Sequence, residues 1–188
     1  MTAALDLALR ARLQTVRLGR PHRHLPSVGS TQAEAAEWAA SGAKSGALVT
    51  ADHQTTGRGR LGREWADEPG RDLALSLVLR PSLPADRLGL VPLAAGLAVV
   101  DALDSRVREV ALKWPNDVLV AGRKIAGVLA ETTWRTCGSG GQSPTVLLGI
   151  GVNVNRRAFP DALADRATSL VLASGDEHDR AALLADLL

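Results

Sequence analysis

Gln54-Thr-Thr-Gly-Arg-Gly-Arg-Leu-Gly-Arg-Glu-Trp65 is the stretch around which this chain is organised, and three glycines and three arginines share seven of its positions. Glycine lets a backbone turn through positive φ and approach a ligand closely. Arginine presents a planar fork of donors that matches a phosphate or a carboxylate. The stretch therefore predicts a flexible loop that closes over an anion.

Two other interpretations of this loop are open. Gly57 to Gly62 has the G-x-G-x-x-G spacing of a dinucleotide-binding turn, which needs a following helix and an acidic residue about 20 positions further on. The chain instead enters a predicted strand, 73–79, and has no acidic residue at that distance. This context disfavours a Rossmann fold. A solvated basic turn is the plainer alternative, because charge runs usually mark a protein surface.

The composition is that of a soluble globular protein with one substantial domain. The chain has 188 residues, of which 46% are hydrophobic and 22% charged. No apolar run approaches the roughly 18 residues of a membrane span, and the N-terminus lacks a signal-peptide layout. A single cysteine, Cys137, excludes an internal disulfide and fits a reducing compartment. We therefore expect a cytoplasmic protein with no membrane association.

Charge and histidine content narrow the function further. A net charge of +2 permits an anionic ligand but is too weak to indicate nucleic-acid binding, and no aromatic residues interleave with the arginines. The scattered histidines and one cysteine give no zinc spacing. His22 and His24 flank an arginine in a proline-bounded segment, and we expect both to be exposed.

The part of the chain that precedes the loop predicts two helices and a strand. We expect the first helix to end before Gly19, and the second to open with a capping box of Thr31 and Glu34 and to stop at Gly42. The expected elements are a helix over 1–18, a short strand or loop over 24–29, a helix over 31–41 and a strand over 46–51.

Beyond the loop, alternating side chains predict a strand over 73–79 with one face in the core. An apolar helix over 88–103 should be well buried. A meander follows, with strands over 110–114, 118–120 and 124–131. Its first turn contains Asp117, for which an ordinary turn role is the plainer interpretation.

A glycine- and serine-rich stretch, 136–143, predicts a flexible loop. In the next strand, 146–155, one face is apolar and the other carries glycines and amides. Such a face leaves space for a ligand, although a simple bend of the sheet is the alternative. One helix is expected over 159–172, and another from Asp176, with an apolar stripe that comprises Leu183, Leu184, Leu187 and Leu188.

Five motifs in this order resemble the biotin protein ligase family over roughly residues 27–188. They are Ser30-Thr31-Gln32, the Gln54–Trp65 stretch, Lys113-Trp-Pro-Asn-Asp117, Arg123-Lys-Ile-Ala-Gly-Val-Leu-Ala-Glu131 and Gly149-Ile-Gly-Val-Asn-Val-Asn155. The resemblance implies an α+β fold, with a mixed, mostly antiparallel β-sheet flanked by helices, as in class II aminoacyl-tRNA synthetases and lipoate ligases.

The resemblance also implies a reaction. Biotin and ATP, with Mg²⁺, give biotinyl-5′-AMP, and a lysine of a biotin carboxyl carrier protein then accepts the biotinyl group. The carrier would belong to a biotin-dependent carboxylase.

The resemblance assigns roles to particular residues. Arg60, Lys124 and Asp117 are expected to be catalytic, and Asp117 is also a candidate Mg²⁺ ligand. The expected biotin-binding residues are Ser30, Thr31, Gln32, Gln54, Arg58, Gly59, Arg60, Lys124 and Gly127. The expected ATP- or adenylate-binding residues are Arg60, Arg63, Trp65, Asp117 and Asn153.

Residues 1–188 are expected to form one catalytic domain, in which residues 1–26 are a helix and a linker. The sequence stops within an apolar stripe, before the family's small C-terminal β domain, and has no room for a DNA-binding domain before Ser27. Three alternatives remain: a lipoate-type ligase, a truncated module that binds biotin or nucleotide without catalysis, and, least favoured, a nucleic-acid-binding protein.

Overall fold

A seven-stranded sheet runs through the protein in the order β1-β2-β3-β7-β6-β5-β4. The computed structural model describes residues 2–136 and 142–188. Only β1 and β2 pair in parallel, and every other neighbouring pair is antiparallel. The strands are β1 (His22–Leu25), β2 (Leu48–Ala51), β3 (Leu73–Leu79), β4 (Val110–Lys113), β5 (Asp117–Val120), β6 (Arg123–Thr136) and β7 (Gln142–Val152). The predicted mixed, mostly antiparallel α+β fold is confirmed.

Helices cover both faces of this sheet. Side chains of α1, α3 and α6 share the larger core with β3 and β7, and α2 packs on the opposite face. As a result both faces of β3 are buried, whereas the sequence predicted only one. The helices are α1 (Thr2–Arg12), α2 (Thr31–Ala40), α3 (Leu90–Asp104), α4 (Asp161–Ala164), α5 (Leu170–Ser174) and α6 (Arg180–Leu187).

The end of α1 and the cap of α2 differ from the prediction. The first helix ends at Arg12 instead of Leu18, because the chain then turns and Arg20 donates to the carbonyl oxygens of Leu13 and Thr15. The predicted capping box of α2 is wrong. Ser30 is the N-cap and its Oγ accepts from the backbone of Gln32 at 3.2 Å.

Consequently Thr31 is the first residue of α2, and its side chain is free to point into the protein. Glu34 pairs with Arg23 at 3.3 Å instead of returning to the helix terminus. The predicted stop at Gly42 is confirmed by its φ of +99°, a conformation that glycine adopts without strain.

The single helix predicted over 159–172 is wrong, since two short helices, α4 and α5, occupy it. Between them the chain runs alongside the start of β6. The backbone N–H of Lys124 donates to Arg166, and that of Thr168 donates back to Lys124, both at 2.8 Å. Ser169 then caps α5 by accepting from Leu172.

The other two predicted helices are only partly as expected. α3 is not buried throughout, because Leu90 and Leu97 are 55% and 53% exposed. α6 begins at Arg180 instead of Asp176, because Asp179 supplies the N-cap. Its predicted apolar stripe is confirmed, with Leu183, Leu184 and Leu187 buried.

The prediction that His22 and His24 are exposed is wrong, since each side chain is only 2% exposed. His22 Nε2 and His24 Nδ1 each lie 2.8 Å from the Oγ1 atom of Thr50. Their other ring nitrogens face carboxylates, Asp6 at 2.8 Å and Asp52 at 3.3 Å. Pairing of β1 with β2 buries these rings, and burial lowers the pKa of His22.

Part of the predicted glycine- and serine-rich loop, together with Cys137, lies outside the described residues. β6 and β7 flank this part. Within the described ranges, no helix is long and apolar enough to cross a membrane.

Candidate active site

A narrow cavity lies between the start of α2, the 54–65 loop and the middle of the sheet. Its volume is about 50 Å³, where one water needs roughly 10–15 Å³. Most of the predicted site residues line it, namely Ser30, Thr31, Gln32, Gln54, Arg58, Gly59, Arg60, Trp65, Lys124 and Gly127. The sequence motifs therefore converge on one place.

The floor of the cavity is a buried hydrogen-bond cluster. Gln54 Oε1 accepts from the backbone N–H of Thr31 at 2.9 Å and from its hydroxyl at 3.0 Å. Ser76 Oγ lies 3.0 Å from both Thr31 Oγ1 and Gln32 Oε1. Gln32 Nε2 donates to the carbonyl oxygen of Leu147 at 3.0 Å, which fixes the orientation of that carboxamide.

The protons of this cluster can be assigned. Gln32 Oε1 can only accept, so the Ser76 hydroxyl is its donor, and the Thr31 hydroxyl donates its proton to Gln54 Oε1. Thr31 therefore presents a lone pair. Ser30 accepts from Gln32 and keeps its own hydroxyl proton, while Gln54 Nε2 has no hydrogen-bond partner among the described residues. Donors and acceptors thus stand side by side, as a ligand with both an N–H and a C=O requires.

Three cations surround the other part of the cavity, and each has a partner in the protein. Arg58 Nη2 lies 2.7 Å from Glu131, Arg60 donates to Asn116 at 2.9 Å, and Lys124 Nζ lies 2.6 Å from Asp117. All three partners accept hydrogen bonds. An anionic ligand could take the place of these three partners, because the positive charges that would bind it already lie around the cavity.

Folding of the meander brings Asp117 and Lys124 together. They belong to adjacent strands, β5 and β6, and a register shift between Val118 and Leu119 bends this pair of strands. The side chains are about one-third exposed, 28% for Asp117 and 36% for Lys124. Such a pair is weak enough to exchange partners.

Close backbone approach explains one glycine of the loop. A Cβ at Gly57 would lie 2.2 Å from the carbonyl oxygen of Trp65. The two residues are joined by a hydrogen bond from Trp65 N to Gly57 O at 2.9 Å. At the tip, Leu61 has a φ of +57° and is 87% exposed. The tip is therefore strained and open to solvent.

Gln32 and Trp65 cover the glycine-bearing face of β7, Gln32 over Gly149 and Trp65 over Gly151. A Cβ at Gly151 would lie 2.3 Å from the indole, and one at Gly127 on β6 would lie 3.1 Å from it. Trp65 Nε1 is buried without a hydrogen-bond partner among the described residues. The space that the sequence predicted over these glycines is thus shaped for an indole, and the ring's unpaired N–H makes this packing costly.

Three predicted site residues do not line the cavity. Arg63 borders a separate recess beside the loop. The Asp117 side chain reaches the site through its ion pair with Lys124. Asn153 is 4% exposed, and its side chain donates to the carbonyl oxygen of Thr168 at 2.9 Å, so it joins the end of β7 to the segment before α5.

Sequence reasoning missed other residues at the site. Ser76 and Asn116 line the cavity, and Glu131 pairs with Arg58. A signal existed for Ser76, which is the one hydroxyl residue within the apolar strand 73–79. Asn116 stands in the quoted motif Lys113-Trp-Pro-Asn-Asp117, but sequence reasoning assigned it no role at the site.

The chain is similar in sequence to several known proteins. Residues 25–153 match the model of the biotin/lipoate A/B protein ligase family. The bifunctional ligase/repressor BirA of Bacillus spizizenii is 38% identical over 183 residues, which is 96% of this chain and 55% of the relative. The biotin–[acetyl-CoA-carboxylase] ligase of Mycobacterium tuberculosis is 40% identical over 166 residues, 85% of this chain and 58% of the relative.

A solved structure is similar as well. The biotin protein ligase from Aquifex aeolicus in complex with biotin and ATP superposes with a TM-score of 0.75 at 36% identity. The match covers 89% of this chain and 67% of that chain. The chain spans little more than half the length of the curated relatives that it matches.

Proposed function

The chain belongs to the biotin/lipoate A/B protein ligase family, and from this we propose that it joins biotin to AMP and passes the biotinyl group to a protein lysine. The observation that carries the proposal is one cavity with a neutral donor–acceptor floor and three cations. A ureido ring would bind at the floor and the carboxylate would lie among the cations.

The floor favours biotin over lipoate. A ureido ring brings two N–H donors and one carbonyl acceptor, whereas the dithiolane ring of lipoate has neither. Ser30 and Gln54 offer donors to the carbonyl, and Thr31 offers an acceptor to an N–H. A ligand that leaves such buried groups unpaired loses roughly 1–3 kcal/mol for each of them.

The cations serve the first step. A carboxylate oxygen of biotin forms a bond to the α-phosphorus of ATP, and the bond to pyrophosphate breaks. Because two anions must meet, positive charge is needed at the junction. Arg60 and Lys124 would supply it after leaving Asn116 and Asp117. Arg58 would hold the loop over the adduct.

The second step is aminolysis of the adenylate. The lysine amine of the carrier forms a bond to the acyl carbon, AMP leaves and the amine gives up a proton. An acyl-adenylate is also open to hydrolysis, so exclusion of water by the loop and by Trp65 supports this step.

Magnesium would enter with the nucleotide. No cluster of three metal-ligating side chains occurs among the described residues. This fits Mg²⁺, which commonly takes one or two carboxylates and completes its shell with phosphates and water. Asp117 would be the protein ligand, and the ion would offset phosphate charge. We also propose that Arg63, Trp65 and Asn153 contact the ATP or the adenylate.

Biotin-dependent exchange of pyrophosphate into ATP tests the proposal. We expect exchange with biotin and none with lipoate, together with calorimetric binding of biotin alone. Exchange that depends on lipoate would identify the lipoate-type ligase. Biotin binding without any exchange would identify a binding module.

A further inference from the structure

Asp67 closes the base of the loop. Gln54 and Asp67 lie on opposite sides of the loop, in the segments that lead from β2 and toward β3, so the contact between them joins the two stems. Asp67 Oδ2 accepts from the backbone N–H of Gln54 at 2.9 Å, and Oδ1 lies 3.0 Å from His53 Nδ1. The side chain of Asp67 is only 3% exposed.

The Asp67 carboxylate therefore holds Gln54, a residue of the cavity floor, although Asp67 itself does not line the cavity. Gln54 is held from behind by Asp67, and its Oε1 receives both donors of Thr31 on the cavity side. A shift of the Gln54 backbone would move that oxygen and the free N–H group beside it. The bridge between Gln54 and Val28 holds the same backbone segment, and Asp67 adds the side-chain contact that fixes the Gln54 N–H.

A second buried carboxylate nearby shows that the arrangement is specific. Asp72 accepts two backbone N–H bonds, from Glu68 at 2.9 Å and Val154 at 3.0 Å, where Asp67 accepts one. Neither of those residues lines the cavity. Asp67 and Asp72 are thus both buried carboxylates that accept backbone hydrogen bonds, and of the two only Asp67 bonds to a residue that lines the cavity.

We propose that Asp67 is a positioning residue for biotin recognition, acting through Gln54. The inference rests on the proposed function. It predicts that the affinity for biotin falls more than the affinity for ATP, because Gln54 belongs to the floor that would bind the ureido ring, whereas the phosphates would meet the cations.

Four variants test it by calorimetry with biotin and by the KM for ATP in pyrophosphate exchange. Asp67→Ala removes both contacts, and the loss of one buried hydrogen bond should weaken biotin binding about tenfold. Asp67→Glu keeps the charge and displaces it by a methylene, so binding should also weaken. Asp67→Asn should restore binding to within about twofold, because its amide oxygen accepts from Gln54 and its N–H donates to His53.

Asp72→Ala is the matched control, expected to lower the melting temperature while leaving the affinity for biotin unchanged. Wild-type affinity in both Asp67→Ala and Asp67→Glu overturns the inference, as does an equal loss of biotin and ATP affinity. Failure of the wild-type protein to bind biotin overturns the proposed function and this inference together.

Discussion

Arg60 illustrates how a site residue can have little to do with the fold. Its side chain is exposed, and its contact in the structure is a hydrogen bond to Asn116. Arg60→Ala should lower biotin-dependent pyrophosphate exchange at least 100-fold, the usual effect of removing one electrostatic group from a transition state. The melting temperature should change by less than about 2 °C, since isolated exposed contacts contribute little.

The control for this prediction is Arg87→Ala, in which an exposed arginine outside the cavity is removed. Its exchange rate should match that of the wild-type protein. Undiminished exchange by Arg60→Ala would contradict the role given to Arg60.

Asp72 predicts a pH dependence of stability. Burial raises the pKa of Asp72 from 3.8 to about 6. Between these values the folded protein binds a proton that the unfolded chain releases, so the free energy of unfolding falls as the pH rises from about 4 to 6. The side chain in Asp72→Asn does not ionise, so the stability of this variant lacks the pH-dependent contribution of Asp72.

Urea unfolding at pH 4 and pH 7 measures the effect. The stability of the wild-type protein relative to Asp72→Asn should fall by roughly 3 kcal/mol across this interval. Parallel pH profiles of the two proteins would show that Asp72 does not titrate in this range.

At the scale of elements, the 54–65 loop is the part of the site that can move. Weak, exposed pairs of Arg58 and Arg60 hold it to the sheet. Both arginines are potential trypsin sites. We expect biotin to slow tryptic cleavage within the loop severalfold, because a bound carboxylate would replace the present partners and order the tip.

Cleavage at exposed arginines elsewhere, such as Arg108, provides the internal standard in the same digest. Equal rates within the loop with and without biotin would count against closure of the loop on the ligand.

The packing of Trp65 on strand β7 gives a second prediction at the scale of elements. A methyl group at Gly151 has no room beside the Trp65 indole, at 2.3 Å. Gly151→Ala should push the ring from the sheet, with a red shift of tryptophan emission that is lost in a Trp65→Phe background. The cost in stability should be about 1–3 kcal/mol.

Gly89→Ala is its control, since nothing lies within 4 Å of the added carbon. Emission from Gly151→Ala that matches the Gly89→Ala spectrum would mean that the indole stays in place.

At the scale of the whole molecule, the N-terminal helix belongs to the core. Leu9 of α1 is fully buried and shares a cluster with leucines of α6. Leu9→Ala should lower the free energy of unfolding by roughly 2–5 kcal/mol in urea titrations. Leu7→Ala, at a position 65% exposed, should change it by less than about 0.5 kcal/mol. Equal effects of the two substitutions would mean that α1 is detached from the core in solution.

The features that could be predicted from the sequence are those that follow from a local pattern of residues. Strand 73–79 was placed by its alternation, and the cavity-lining motifs were found by residue type and spacing. Contacts between distant segments were not accessible in this way. Pairing with Lys124 interrupts the predicted helix 159–172, and pairing of β1 with β2 buries His22 and His24. Asp67 reaches Gln54 only because the loop folds back on itself.

The Thr50 hydroxyl lies between the rings of His22 and His24, and this limits where the hydrogen atoms of the three side chains can be. A hydroxyl has one proton, so Thr50 donates to one imidazole and accepts from the other. If both rings are neutral, one outer nitrogen must then turn a lone pair toward Asp6 or Asp52. The two histidines therefore behave as one unit with a shared tautomeric state that extends from α1 to the edge of the sheet.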